Sequence, residues 1–154
     1  MPRAPFQVHG FPFRNSAAGG FEYAVFRRAD EGYWQAVAGG GEDDESPAEA
    51  AKRETLEETD IPSSADFFFL QTRASVPVYN FKAPDTWPKD LYVIPAHYFA
   101  VRAADFEITI SWEHTEFRWV GYDEGVRLLH WGHDKNALWE LNERLLNDDL
   151  PALA

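Results

Sequence analysis

The chain has 154 residues, enough for one domain with a hydrophobic core of ordinary size. Its 45% hydrophobic and 26% charged composition excludes a disordered protein, and the absence of cysteine excludes disulfides and thiolate metal sites. The net charge of −12 argues against binding to DNA or RNA polymers, which requires clustered Lys and Arg. No linker, repeat or low-complexity tract interrupts the chain, so we expect a single domain over residues 1–154.

No segment of the sequence predicts a membrane partner. The first ten residues lack an apolar run behind a basic stretch, so no signal peptide is visible. The longest apolar stretches, residues 66–70 and 98–101, are too short to span a bilayer. The absence of cysteine also fits a reducing compartment. We expect a cytoplasmic monomer or homodimer.

The first forty residues predict three strands. Apolar alternation and turn residues place them at Phe6–Phe13, where Pro12 breaks the strand, at Phe21–Arg28 after the turn Asn15–Gly20, and at Trp34–Ala38. Three consecutive glycines, residues 39–41, follow the third strand.

A helix is then strongly signalled. Ser46 is an N-cap residue, Pro47 suits the first helical position, and Glu49 completes a capping box. The helix is expected to continue to about Thr59, where the sequence Ile61-Pro62 ends it.

The remainder of the chain predicts strands interleaved with helices. Strands are expected at Phe67–Val76, Leu91–Arg102, Phe106–Ile110 and Phe117–Val120, a loop at Pro77–Asp90, and helices at Asp123–Leu129 and Asp134–Asn147. This arrangement predicts an α/β (α+β) fold with a mixed β-sheet.

Three glutamates on the first helix carry the chemistry. Glu54, Glu57 and Glu58 are spaced i, i+3 and i+4, so they share one face. Like charges at this spacing repel by about 0.2–0.5 kcal/mol per pair, and no Lys or Arg is interspersed on that face. A cation is therefore the natural partner, and ligands that are all oxygen favour Mg²⁺, Mn²⁺ or Ca²⁺ over zinc.

The rest of the helix suits this arrangement. Ala48, Ala51 and Thr55 are small residues on the opposite side, fit for close packing on a sheet. Arg53 lies beside the glutamates, where its guanidinium can orient a carboxylate through paired hydrogen bonds.

The segment GGGEDDESPAEAAKRETLEETDI, residues 39–61, resembles the Nudix box G-x5-E-x7-R-E-U-x-E-E-x-G-U, in which U is aliphatic. The residues in register are Gly39, Glu45, Arg53, Glu54, Glu57, Glu58 and Ile61. At ordinary residue frequencies the Gly, Glu and Arg matches would coincide about once in ten million start points. Thr55 and Asp60 depart from the pattern, and we expect Asp60 to tolerate the left-handed conformation usual for the final glycine.

The resemblance implies an α/β/α sandwich that hydrolyses a phosphoanhydride in a small-molecule substrate. It implies Mg²⁺, with Mn²⁺ as the alternative, and a catalytic set of Arg53, Glu54, Glu57 and Glu58. The same three glutamates are the implied metal ligands, joined by the backbone carbonyl of Ala38 and by Glu113. Glu113 remains open between a ligand and a solvated loop carboxylate.

Within the family, the chain looks most like the dihydroneopterin triphosphate pyrophosphatases, also described as dATP pyrophosphohydrolases. The similar pieces are Phe26-Arg27-Arg28, Tyr33-Trp34-Gln35, Glu113-His114, Trp119 and His130-Trp131. The implied reaction converts a nucleoside-triphosphate-like substrate to a monophosphate and pyrophosphate.

Six residues are candidates for binding that substrate: Arg27, Trp34, Ala38, His114, His130 and Trp131. Strand alternation should turn either Arg27 or Arg28 toward the cleft, and we favour Arg27. Trp34 is open between core and pocket. The loop Tyr79-Asn80-Phe81 with Trp87 is equally open between stacking on a planar ring and forming a lid with buried rings.

Other functions remain as alternatives. Trp34-Gln35 also occurs in Nudix enzymes that cut dinucleoside polyphosphates, and ADP-ribose or nucleotide sugars are further candidate substrates. A non-catalytic nucleotide-binding Nudix domain would usually lose glutamates that this box retains. A calcium-binding EF-hand pattern is absent, and isopentenyl diphosphate isomerase, which shares the fold, relies on a cysteine.

Overall fold

The computed structural model describes residues 3–151, which form one mixed seven-stranded sheet and three α-helices. The strands are β1 (Arg3–Asn15), β2 (Phe21–Arg28), β3 (Trp34–Gln35), β4 (Val37–Glu42), β5 (Phe67–Pro77), β6 (Val93–Arg102) and β7 (His114–Val120). The helices are α1 (Pro47–Thr59), α2 (Tyr122–Leu128) and α3 (Gly132–Leu146), with one 3-10 turn at Val78–Asn80. Residues 1–2 and 152–154 of the predicted domain lie outside the described residues.

Strand β1 organises the sheet. It pairs in parallel with β6 over residues 7–13, whereas its pairings with β4 and β2 are antiparallel. β4 accompanies β1 as far as Gly10, and β2 takes over from Phe13. Pro12, which cannot donate a ladder hydrogen bond, lies at this exchange of partners. The strand therefore continues through Pro12, and the prediction that Pro12 breaks it was wrong.

Alternate strand residues feed two hydrophobic clusters on opposite faces of the sheet. Val25 and Tyr98 contribute to one cluster, and their neighbours Phe26 and Phe99 contribute to the other. The first cluster is covered by α3 through residues 137, 138 and 141, and the second by α1 through residues 50 and 51. A sheet covered by helices on both faces is the α/β/α sandwich that the sequence predicts.

Helix α1 begins and ends as expected. The Ser46 side chain accepts a hydrogen bond from the Glu49 amide at 3.2 Å, and the Glu49 side chain accepts one from the Ser46 amide at 3.0 Å. Asp60 ends the helix at φ 66°, the left-handed conformation expected of it. The packing face differs slightly from the prediction, because Ala50 is buried and Ala48 only half-buried.

Two predicted strands were wrong. Phe106–Ile110 is irregular, although its alternate apolar side chains pack on the α1-side cluster. Its backbone forms no strand ladder: the Thr109 amide donates to the Thr59 carbonyl at 3.0 Å, and the Phe106 amide donates to the Ala103 carbonyl at 3.1 Å. The predicted strand Trp34–Ala38 is divided at Ala36 into β3 and β4, because Trp34 and Gln35 pair with β2 whereas the following residues pair with β1. Within residues 3–151, no helix is long and apolar enough to cross a membrane.

Replacing Asp60 by Gly should stabilise the fold. A left-handed backbone strains any residue with a Cβ, and glycine removes this strain, so we expect the free energy of unfolding to rise by about 0.5 kcal/mol. Urea denaturation measures the change. Asp60→Ala is the matched control and should lower stability, since alanine tolerates positive φ less well than aspartate. A Gly variant less stable than the Ala variant would contradict the argument.

Candidate metal and substrate site

The three box glutamates differ sharply in burial. Helix α1 packs against β4 and β1. Glu58 lies on the face of α1 that makes this contact, and it is only 1% exposed. The Glu54 side chain is 12% exposed, and the Glu57 side chain, nearer to solvent, is 57% exposed. The acidic face therefore runs from the helix–sheet contact out to solvent.

Gly39 in β4 makes room for the acidic face. A Cβ built at this position would lie 2.0 Å from the Glu54 carboxyl carbon and 2.3 Å from both of its oxygens. No side chain can occupy that space while Glu54 stays in place. The first glycine of the box thus allows the Glu54 carboxyl to lie against β4.

Arg53 ties the box together. Its Nε and Nη2 atoms donate to the Glu45 carboxylate at 2.7 and 2.9 Å, and Nη2 also donates to the Gly40 carbonyl at 2.8 Å. Nη1 donates to Glu54 at 2.9 Å and lies 3.4 Å from a Glu57 oxygen. The hydrogen bond with Arg53 also lowers the pKa of Glu45. Arg53 holds α1, β4 and two acidic side chains in fixed relation.

The buried carboxyls are electrostatically strained. Burial, and then the neighbouring charge of Glu54, raise the pKa of Glu58 well above its ordinary value, and burial also raises the pKa of Glu54. Glu58 Oε1 has the Ala38 amide 3.5 Å away, but Oε2 is buried without a hydrogen-bond partner among the described residues. A buried carboxylate oxygen without a partner is costly.

Glu113 and His114 complete the acidic region. Partial desolvation, followed by the charge of Glu57, raises the pKa of Glu113, and Glu113 in turn contributes to the raised pKa of Glu58. His114 Nε2 lies 3.7 Å from Glu58 Oε1. Because burial lowers the pKa of His114 to about 4, the imidazole is neutral at pH 7 and this contact is not an ion pair. Within residues 3–151, no cationic side chain therefore pairs with the buried carboxyl of Glu58.

A hard divalent cation fits this donor set. The residues that surround the region offer oxygen ligands, one of them the Oε2 of Glu58, which has no hydrogen-bond partner among the described residues, and the Glu54 carboxyl fills the space that a side chain at position 39 would take. Mg²⁺ and Ca²⁺ bind to carboxylate and carbonyl oxygens. The side chains that would hold the ion are Glu54, Glu57, Glu58 and Glu113, with Ala38 adjoining through its backbone.

The acidic face opens into a cleft with two lobes. The carboxylate lobe, about 710 Å³, is lined by residues that include Arg3, Glu54, Lys82, Trp112, Glu113 and His114. The aromatic lobe, about 560 Å³, is lined by residues that include His9, Tyr33, His130, Trp131 and His133. Residues that line both lobes are Gln7, Arg28, Gln35, Ala38, Asn80 and Phe81. The cleft is therefore continuous.

Arg28, not Arg27, faces the cleft, so the preference for Arg27 was wrong in orientation. Arg27 pairs across the ladder with Trp34, and its guanidinium donates to the Gly32 carbonyl at 3.0 Å, away from both lobes. Arg28 forms a two-point contact with Asp30 at 2.7 and 2.6 Å. Because Asp30 is exposed, this ion pair is weak, and Arg28 can exchange it for a phosphate.

Of the other five predicted substrate residues, one lies outside the cleft and four line it. Trp34 packs on the α3-side cluster beneath Arg118, whose guanidinium carbon lies 5.0 Å from the ring centroid, and it lines neither lobe. Ala38 and His114 lie at the carboxylate lobe, and His130 and Trp131 at the aromatic lobe. Trp34 thus has the core position that the sequence left open.

In the loop between β5 and β6, one aromatic ring is buried and another lines the cleft. Trp87 is buried, and its Nε1 donates to the Arg3 carbonyl at 2.8 Å, which anchors the loop to β1. Asn80 and Phe81 line both lobes, whereas Tyr79 is exposed outside them. One ring is thus an anchor, and another is available to a substrate.

Sequence reasoning missed two cations and two imidazoles. Arg3 and Lys82 line the carboxylate lobe, and His9 and His133 line the aromatic lobe. No local pattern distinguishes these residues from surface positions. Only the pairing of β1 with β4 and β6, and the packing of α3, bring them to the cleft.

The fold and the acidic site together define a hydrolase of the Nudix class. The family model described as "NUDIX domain" matches residues 17–140, and the chain belongs to that family. Nudix hydrolases act on pyrophosphate bonds in small phosphate compounds and generally use divalent metals.

Three relatives illustrate the similarity. The chain is 32% identical over 108 residues to the rat (Rattus norvegicus) bis(5′-nucleosyl)-tetraphosphatase [asymmetrical], covering 70% of this chain and 69% of the relative. A crystal structure from Listeria monocytogenes assigned to the Nudix hydrolases is 41% identical with a TM-score of 0.86, covering 97% of this chain and 100% of that one. The E. coli dihydroneopterin triphosphate pyrophosphohydrolase has a TM-score of 0.71 at 17% identity, covering 96% and 99%, which shows the shared fold.

Replacing Gly39 by Ala should disable the site by displacing Glu54. The added Cβ overlaps the Glu54 carboxyl, so we expect anhydride hydrolysis to fall by about a hundredfold or more. Gly121→Ala is the matched control, because nothing lies within 4 Å of its Cβ and it should keep activity. Comparable activity of the Gly39 and Gly121 variants would show that the close approach is dispensable.

Proposed function

We propose that this chain is a Mg²⁺-dependent pyrophosphohydrolase that converts a nucleoside-triphosphate-like substrate to a monophosphate and pyrophosphate. The observation that carries the proposal is the buried carboxylate cluster of Glu54 and Glu58, with the unpartnered Oε2 of Glu58, beside a cleft with basic side chains. We further propose that residues 1–154 act as one domain.

The proposed ligands of Mg²⁺, or of Mn²⁺ as the alternative, are Glu54, Glu57, Glu58, Glu113 and the Ala38 carbonyl. The bound cation would supply positive charge that neutralises the phosphate oxygens as the anhydride opens. Arg53 is proposed as a positioning residue, because its donors are committed to Glu45, Gly40 and Glu54 rather than to the cleft. A carboxylate of the cluster would orient the attacking water.

The basic residues of the cleft are proposed to bind the phosphates. Arg28 lines both lobes and can give up its exposed contact with Asp30. Arg3 and Lys82 add charge at the carboxylate lobe. A guanidinium suits two oxygens of one phosphate, whereas an ammonium contributes a compact charge. These three cations offset part of the repulsion between a polyphosphate and an acidic protein.

A second candidate is the hydrolysis of dinucleoside polyphosphates. It is favoured by the 32% identity with the rat tetraphosphatase and by Trp112, whose exposed ring lines the carboxylate lobe and would suit a second base. ADP-ribose and nucleotide sugars remain further alternatives. A non-catalytic nucleotide-binding domain is disfavoured because all four glutamates of the box are retained.

The metal dependence has a direct test in catalysis and in stability. Excess EDTA should abolish hydrolysis, and Mg²⁺ or Mn²⁺ should restore it. Mg²⁺ should also raise the thermal midpoint, because a cation that binds only the folded state stabilises it. Undiminished hydrolysis in chelator would contradict the mechanism.

Charge-neutral variants separate the metal site from the fold. Glu57→Gln and Glu58→Gln should each lose at least about a hundredfold in kcat, equivalent to about 3 kcal/mol of transition-state stabilisation. Without Mg²⁺ their stability should equal or exceed that of the wild type, because like-charge repulsion falls. The Mg²⁺-induced rise in thermal midpoint should shrink. Variants that unfold but keep their specific activity would make the cluster structural.

The substrate proposal predicts free pyrophosphate. A screen with Mg²⁺ should include nucleoside triphosphates, dihydroneopterin triphosphate, diadenosine polyphosphates, ADP-ribose and nucleotide sugars, with phosphate and pyrophosphate assayed separately. We expect one triphosphate to have the highest kcat/KM and to yield pyrophosphate without phosphate. If diadenosine tetraphosphate or ADP-ribose exceeds every triphosphate by about tenfold, about 1.4 kcal/mol, the substrate proposal is wrong although the family stands.

A further inference from the structure

The aromatic lobe is lined by two stacked pairs of aromatic rings. Tyr33 stacks on His130 with ring centroids 4.3 Å apart and an interplanar angle of 20°, and Trp131 stacks on His133 at 5.6 Å and 14°. Trp131 also meets Tyr33 edge-on at 5.5 Å. Residues 75–77, 80 and 81, at the end of β5 and in the following turn, also line this lobe.

His9 enters this lobe from β1 and is held from behind. Asp134, fully buried near the start of α3, accepts a hydrogen bond from the Tyr98 hydroxyl at 2.5 Å and another from the Ala36 amide at 3.1 Å. His9 Nδ1 lies 3.1 Å from the Tyr98 oxygen and 3.8 Å from Asp134, so its hydrogen bond is with Tyr98. The chain of contacts runs from Asp134 through Tyr98 to His9.

This arrangement is satisfied without a metal, although His9, His133 and Asp134 have ligand atoms within 4.8 Å of one another. Both Asp134 oxygens already accept hydrogen bonds, and His9 Nδ1 is engaged by Tyr98. A transition metal would have to displace these buried contacts. The cluster is better explained as a device that orients His9.

The same contacts fix where the proton of a neutral His9 lies. An ionised carboxylate only accepts, so the single hydroxyl proton of Tyr98 goes to Asp134. The Tyr98 oxygen must then accept from His9, which places a proton on Nδ1. Nε2 is left as an acceptor, and it makes no hydrogen bond to any residue between 3 and 151.

We infer that the aromatic lobe binds the ring of a heteroaromatic phosphate ester, and that His9 Nε2, oriented by Tyr98 and Asp134, accepts a hydrogen bond from an amino group on that ring. The inference rests on the proposed function in one respect: the phosphates are taken to extend from the ring toward the carboxylate lobe, which Arg28 connects to this lobe. Adenine, guanine and pterin share this chemistry, whereas the corresponding rings without the amino group lack it. His9 contacts the substrate; Tyr98 and Asp134 are positioning residues.

The experiment measures the binding of 5′-monophosphates by calorimetry in the presence of Mg²⁺. Each probe is paired with an analogue in which hydrogen replaces the amino group. The pairs are AMP with purine riboside monophosphate, GMP with IMP, and a pterin monophosphate with the analogue that carries hydrogen in place of its amino group. These probes contain no anhydride, so the result is independent of hydrolysis. A failure of the proposed function therefore remains distinguishable from a failure of this inference.

Stacking is tested by Trp131→Ala. We expect both members of the preferred pair to bind about tenfold more weakly, as expected for the loss of one stacking ring. Trp139→Ala is the matched control, because Trp139 is an exposed tryptophan of α3 that lines neither lobe. Equal effects of the two variants would overturn the ring site.

The hydrogen bond is tested by the preference within a pair. The wild type should bind the amino member of at least one pair about fivefold or more tightly, the value of one hydrogen bond. Tyr98→Phe should reduce this preference to near one, and a merely structural role would instead weaken both members equally. His9→Phe keeps a planar ring and leaves the Tyr98–Asp134 contact intact, so it provides the same test if Tyr98→Phe fails to fold. The absence of any preference in the wild type, or its persistence in either variant, would overturn the inference.

Discussion

The burial of the Glu58 carboxyl between α1 and β4 sets the conditions for the whole site. A carboxylate removed from water costs several kcal/mol unless it is paired, and among the described residues the Glu58 carboxyl meets the distant Ala38 amide, the neutral His114 and the carboxyl of Glu54. Glu54 adds a like charge at the same place. The protein therefore has a local deficit of positive charge that a divalent cation would relieve. Without a metal, the buried carboxyls lower the stability of the fold, and the same arrangement is suited to binding a metal.

That strain is tolerated because other contacts fix the helix independently of the glutamates. Ser46 and Glu49 cap its start, and Ala50 and Ala51 pack into the core. Arg53 then joins the helix to β4 through the Gly40 carbonyl and through other acidic residues. Much of the box pattern is thus accounted for by contacts that hold α1 close to β4, and the remaining residues of the pattern are the proposed metal ligands.

The local parts of this arrangement were predictable from sequence, and the non-local parts were not. Capping and i, i+3, i+4 spacing are properties of a single helix, so α1 and its acidic face were correctly predicted. Strand alternation left two choices at Arg27 and Arg28, and only the pairing of Arg27 with Trp34 decides between them. Phe106–Ile110 has the alternation of a strand but acquires no ladder partner. His9 reaches the cleft through β1 pairings that no short window of sequence reveals.

The proposed site divides into a carboxylate lobe, where hydrolysis would take place, and an aromatic lobe, where the ring of the substrate would bind. The carboxylate lobe draws on α1, β4 and the residues at the start of β7, whereas the aromatic lobe adds Tyr33, the segment from His130 to His133 and the end of β5. Changes at Tyr33, His130 or Trp131 can therefore alter ring binding without moving Glu54 or Glu58. In the proposed function, Arg28 is the residue that connects the two lobes, because it lines both and a phosphate bound there would join the ring to the carboxylate end.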